Sequence, residues 1–202
     1  MRRSLSRILA LLPGLAAGAD IGIDPEAVVP EVGVGGRTDP VTGEVTISLD
    51  PGFSDYVSTL TVWLPATLAH ELDHAERILL GPGLGDTLLE AMVSEGLADT
   101  FSIEAFPETP RIPWDHALSP AENRNAWIRA EDILNRLLDA KGHDTWFFGK
   151  GQLPRWTGYT LGYRIAASYL HAHPRETAAR ISTLAATRIL AGSSLGHGSL
   201  SG

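Results

Sequence analysis

Cysteine is absent from this 202-residue chain. No disulfide scaffold or thiolate zinc site can form, so any metal must be held by His, Asp or Glu. Clustered basic residues are also lacking. The 16 Lys and Arg lie scattered among 24 Asp and Glu, for a net charge of −8. Phosphate backbones are met by grouped cations, so nucleic acid is not an expected partner. No run stays apolar for the roughly 18 residues that a membrane helix needs, so no membrane span is expected. What is present is the composition of a globular domain, 44% hydrophobic and 20% charged. The length suits one core and is too short for two large ones.

The opening MRRSLSRILALLPGLAAGAD carries two arginines, an apolar stretch and small residues, as a secretion signal does. Arg7 and Pro13 interrupt that stretch, and Leu5, Ile8, Leu11 and Leu12 fall at the spacing of an amphipathic helix. The expectation is a single domain over 1–190 that begins with a helix or leader over 1–18 and ends in a Gly/Ser-rich flexible tail, 191–202. A cytoplasmic location is expected, with secretion the alternative if residues 1–19 are a signal peptide. The oligomeric state is open.

Short strands are predicted at ADIGI (19–23) and EVTISLD (44–50), the second alternating apolar and polar residues. GVGG (33–36) reads as a turn. From Leu64 the periodicity is helical: a helix to about Leu80, a GPGLG linker, and a second helix capped by Asp86 and running to about Ile103. After a Pro-rich loop (107–114) come a third helix over 120–140, an aromatic loop at WFFG (146–149), a fourth helix over 155–173 and a fifth over 176–190. A small N-terminal sheet followed by helices makes the fold class α+β.

The helix over 64–80 carries TLAHELDHAE (67–76). His70 and His74, four apart, share one helical face and can address one ion. Glu71 lies about 100° round the helix, placed to act on a water rather than to bind the metal. The plain alternative is two ordinary histidines beside a solvated glutamate. A catalytic zinc wants a third protein ligand and an open position. Arg77 and Leu80 stand where a metzincin would have its glycine and third histidine, and the inverted HxxEH order is absent. The next helix offers Glu95, with Asp99 one turn on and able to accept the Nδ1 hydrogen of a ligand histidine. Apolar residues flank both, and a buried carboxylate needs a partner.

AHELDHAER (69–77), TLLEAMVSEGLAD (87–99), WFFG (146–149) and PRWTGYTLGYRIA (154–166) resemble a family of small bacterial proteins described as predicted zinc-dependent proteases, of the gluzincin group. GVGG with the strand before Pro51-Gly52 is also similar. The resemblance covers about residues 20–190. It implies a zincin-like (gluzincin) core, Zn2+ as cofactor, His70, His74 and Glu95 as its ligands, and Glu71 as general base. Asp73, inside the motif, departs from the family pattern.

The chemistry implied is peptide-bond hydrolysis, with a peptide or protein as substrate. Tyr159 and Tyr163, four apart in GYTLGY, are the candidate donors to the oxyanion, with packing as their alternative role. Arg164, His171 and His173 compete. EVTISLD could take a substrate backbone along its edge. Trp114, Trp127, Trp146 and Trp156 are expected as core or groove wall. His116, His143 and His197 are given no role. The reading from another class is a non-catalytic zinc-binding relative with a structural or regulatory role, which would not need Glu71. A metal-independent helical interaction module would leave both motifs unexplained.

Overall fold

The structure is a computed structural model that describes residues 2–197. It is α+β, a three-stranded sheet beside a mainly helical body. Helix α1 (Arg2–Leu11) precedes β1 (Ala19–Ile23), β2 (Val34–Thr38) and β3 (Val45–Leu49). The strand order is β1-β3-β2, with β1 parallel and β2 antiparallel to β3. A short α2 (Tyr56–Ser58) and a π-turn (Thr59–Trp63) lead into α3 (Leu64–Leu80). Then follow α4 (Leu88–Ala105), α5 (Pro120–Glu131), α6 (Ala140–Phe147), α7 (Thr157–Ala172), α8 (Ala178–Ile181) and α9 (Ala186–Gly192). No helix among the described residues is long and apolar enough to cross a membrane.

Two apolar clusters organise the chain. Ile8 and Leu12, Val34, Val45 and Ile47 of the sheet, and Leu64, Leu68 and Leu72 of α3 form one. Residues Leu88 to Leu97 of α4 form the other with Trp127, Trp146, Phe147, Leu161 and Ile165. The C-terminal end of α4 returns to the first cluster through Phe101 and Ala105, so α4 spans both. The stripe at Leu5, Ile8 and Leu12 is thus the face by which α1 packs on the domain.

Several sequence expectations are corrected here. GVGG contains a turn only at Gly33, in left-handed backbone; Val34 to Gly36 begin β2. The strand EVTISLD lies in the middle of the sheet, paired on both sides, and offers no edge to a substrate. The N-cap of α4 is Thr87 rather than Asp86, in a capping box with Glu90. The third helix stops at Glu131 because the chain unwinds to serve α4: the carbonyls of Arg136 and Leu134 accept the N–H groups of Leu88 and Leu89, which no helix can bond internally. Leu137 and Ile128 in this stretch are largely exposed. Of the expected aromatic loop at 146–149, Trp146 and Phe147 are instead the buried end of α6, while Phe148 is exposed just beyond it. The fifth helix is broken between α8 and α9, where the Ser182 and Leu184 carbonyls turn to the buried Arg77 guanidinium. Of the expected tail, Leu195 is buried against the helical core, and residues 198–202 lie outside the described residues.

Candidate metal centre

Helix α3 begins with Pro65 in its first turn, where the missing N–H costs nothing. It is buried along most of its length, so its polar residues at 70, 71, 73 and 74 must find partners. His70 and His74 lie one turn apart, and their Nε2 atoms face each other at 3.1 Å. Glu95 Oε2, from α4, stands 3.2 Å from His70 Nε2 and 3.5 Å from His74 Nε2. A tetrahedral zinc with bonds of about 2.0–2.2 Å holds its ligand atoms roughly 3.3–3.5 Å apart. The donor set and its spacing therefore fit such an ion.

The outer nitrogens are also engaged. The Nδ1–H of His70 donates to Asp99 Oδ1 at 2.8 Å, and His74 Nδ1 lies 3.2 Å from the Ser94 hydroxyl. With the proton of each ring on Nδ1, both Nε2 lone pairs face the point where an ion would sit, the arrangement usual around metal-bound histidines. Asp99, 1% exposed, also accepts the Trp114 indole N–H at 3.2 Å. Burial alone would lower the pKa of His70, but Asp99 and Glu95 outweigh it and hold the metal-free imidazole well above its ordinary range. Burial raises the Glu95 carboxyl, and the two histidines more than reverse that, leaving it below the usual carboxylate range. The site thus sets an ionised carboxylate against two imidazoles.

Glu71 is not one of the three converging donors and lines a cleft beside them. The Thr38 hydroxyl of β2 donates to its Oε2 at 2.7 Å. A side chain at Gly36 would place its Cβ 2.5 Å from Glu71 Oε1, so glycine at this strand position is what lets the carboxylate lie against the sheet. The cleft has a volume of about 100 Å3, space for several waters at about 30 Å3 each. His70, Glu71, Asp99 and Tyr159 line it. Its remaining walls are mostly apolar and include Trp63, Trp114 and Trp156.

Trp156 holds this wall in left-handed backbone, φ 71°, which is uncommon for a bulky residue. Its N–H bonds to the Phe147 carbonyl, and its ring lies between the Arg155 guanidinium and Trp114. Arg155 in turn pairs with Glu31 at 2.7 Å, joining the segment before α7 to the loop before β2.

The two candidate tyrosines part company. Tyr159 reaches the cleft; burial, then the charges of Glu95, Asp99 and Glu71, push its phenol well above the ordinary range. Tyr163 packs its ring on His116 at 5.2 Å and is not among the cleft-lining residues. Asp73 is fully buried on the side of Arg77 and Ser182. His173 stacks on Tyr169, and His143 on Phe147. Sequence does not mark Thr38 or Ser94 for the site, and it gives Trp114 as core or groove wall, which it is, without its bond to Asp99. Ser94, adjacent to Glu95, had a local signal; Thr38 and Trp114 reach the site only through tertiary folding.

Comparison with known proteins agrees with this geometry at the level of family. The chain is 31% identical over 128 residues to the uncharacterized protein YjaZ of Bacillus subtilis (strain 168), covering 60% of this chain and 48% of that one. It therefore spans about half the length of this curated relative. No solved structure matches. Residues 37–191 match the family described as "Predicted Zn-dependent protease (DUF2268)", a stretch that takes in the three donors, the general-base candidate and the cleft walls from Trp63 onward, and the chain belongs to that family.

Proposed function

We propose that this chain is a gluzincin-type zinc metallopeptidase in which His70, His74 and Glu95 hold the metal. The observation that carries the reading is the convergence of these donors at 3.1–3.5 Å beside a cleft that also holds Glu71. Zinc bound there supplies Lewis-acid activation of a water and of the scissile carbonyl. Glu71, steered by Thr38 and by the closeness of Gly36, takes the proton of the attacking water and returns it to the departing amine. Tyr159, which also lines the cleft, donates its phenol hydrogen to the oxygen that gains charge. Asp99 and Ser94 keep the histidine rings turned toward the ion.

The substrate is a peptide or protein segment. Gly35 and Gly36 of β2 border the cleft, so an extended backbone lies along β2 and not along the central β3. The tryptophans, with Val29, Val34 and Ile112, favour apolar side chains.

The test begins with zinc per chain in the wild type and in Glu95→Ala. One zinc in the first and far less in the second is expected; none in either ends the metal reading. Peptide hydrolysis by wild type and Glu71→Gln, both zinc-loaded, follows. Glu71→Gln should keep its zinc and lose activity by two orders of magnitude or more, roughly. Zinc binding without hydrolysis in any peptide library would identify a non-catalytic relative with a structural or regulatory role.

A further inference from the structure

At about 100 Å3 the cleft is small for a peptide. Pockets that take ligands of some size enclose roughly 300 Å3 or more, so a peptide enters only if the walls part. Val29, Val34 and Gly35 line the cleft from the sheet side, and Trp156 and Tyr159 line it from the α7 side. Glu31 lies between Val29 and Val34 in the chain, and Arg155 directly precedes Trp156. These two side chains pair at 2.7 Å. Among the described residues no other ion pair joins the two stretches.

The turn that carries Glu31 is tied down. The Val29 N–H donates to the Val34 carbonyl, the Val32 and Gly33 N–H groups donate to the Val29 carbonyl, and the Thr59 hydroxyl donates to the Val32 carbonyl at 2.8 Å. Residues 149–156 are held less firmly. Both ends of this strap, Gly149 and Trp156, lie in left-handed backbone, φ 69° and 71°. Lys150, Gly151, Gln152, Pro154 and Arg155 between them are exposed. A segment with so few buried side chains opens at low cost, so the strap is the side that yields. Trp156 is its contribution to the cleft, and the Arg155 guanidinium lies over that ring, 3.8 Å from the centroid. A wide side chain pressing on Trp156 therefore loads Arg155 and its pair with Glu31.

We propose that Arg155 is a positioning residue that sets specificity: clasped to Glu31, it holds Trp156 against the cleft and disfavours peptides whose side chain at that wall is wider than valine. The peptide as ligand rests on the function proposed above; the clasp and the strap do not. Arg155 and Glu31 are 43% and 37% exposed, so the pair is weak and screened by salt. The discrimination it imposes is limited accordingly, to about two- to fivefold.

The experiment has two arms on the full chain. Hydrogen exchange read by mass spectrometry compares wild type, Glu31→Gln, Arg155→Gln and the double variant. Amides of 149–156 should exchange about two- to fivefold faster in each single variant and no faster still in the double. Sodium chloride at about 0.5 M should speed exchange in the wild type alone. Unchanged exchange in the single variants, or additive effects in the double, overturns the clasp, whether or not zinc binds. The second arm needs no hydrolysis. Labelled peptides with Val or Phe placed in turn along an alanine host are titrated by fluorescence anisotropy onto Glu71→Gln protein, with and without Glu31→Gln. At one position the preference for Val over Phe should fall about two- to fivefold on loss of Glu31. An unchanged preference at every position, or no binding of either series, overturns the role in specificity. A failed peptidase reading shows elsewhere, as missing zinc or missing hydrolysis, and leaves the exchange result standing.

Discussion

Removing one oxygen separates the two tyrosines of α7. Tyr159→Phe deletes the only hydroxyl hydrogen that this helix brings to the cleft with Glu71, and kcat for peptide hydrolysis should fall by about 10²–10³-fold with KM nearly unchanged. Tyr163→Phe, whose ring lies against His116, should stay within about twofold of wild type. Steady-state kinetics on one peptide decides both. The residues that sequence could reach are those whose relation is local. His70, Glu71 and His74 are ordered by the helical repeat, and Glu95 with Asp99 by the same repeat on the next helix. Thr38 meets Glu71 across 33 positions, and Trp114 meets Asp99 across 15; no spacing rule announces such pairs. From sequence alone Tyr159 and Tyr163 stand equal, because four residues of helix do not say where the neighbouring walls fall.

Among the elements, α4 bears the heaviest duty, since Glu95 and Asp99 both ride on it. Its start is fixed by the Thr87–Glu90 capping box, in which Glu90 accepts from the Thr87 hydroxyl and from the N–H groups of Thr87 and Asp86. These bonds, the Thr87 hydroxyl first, lower the Glu90 pKa. A carboxyl lowered on folding gives stability that is present above its unfolded value, near 4.5, and is lost as pH falls through its folded one. Glu90→Gln should therefore flatten the acid limb of the stability curve while costing about 1 kcal/mol at neutral pH, as urea titrations at several pH values would show.

Farther along, α4 crosses α7 at a contact of two glycines. A Cβ at Gly162 would lie 1.9 Å from the Met92 carbonyl oxygen, and one at Gly96 2.1 Å from Gly162. Gly162→Ala should force the helices apart, cost about 1–3 kcal/mol or more and weaken zinc binding through Glu95, read by thermal melts and a zinc titration. Element identity was legible where periodicity runs long, as in α3, α4 and α7. Ends were misread where the backbone gives up its own helix to serve another group, as Leu134 and Arg136 do for α4.

For the whole molecule, the two apolar clusters lead to the expectation that the fold does not need the ion proposed for its site. Metal-free protein should stay folded, and zinc at about 100 times its dissociation constant should add roughly 2.7 kcal/mol, a rise of roughly 5–10 °C in Tm. A chelator should reverse the shift, and Glu95→Ala should abolish it. The α+β class was legible from the order of strands and helices. The way the sheet, α3 and α4 close around one point was not, because it depends on which faces meet.

That meeting has a consequence for the life of the chain. The histidines stand on the helix that seals the sheet-side cluster, while Glu95 projects from the stretch of α4 that builds the other. A chain with only one half assembled owns either two imidazoles or one carboxylate, and neither holds zinc firmly. Under the proposed function, hydrolysis therefore requires both halves to have docked, and a half-assembled copy should show none.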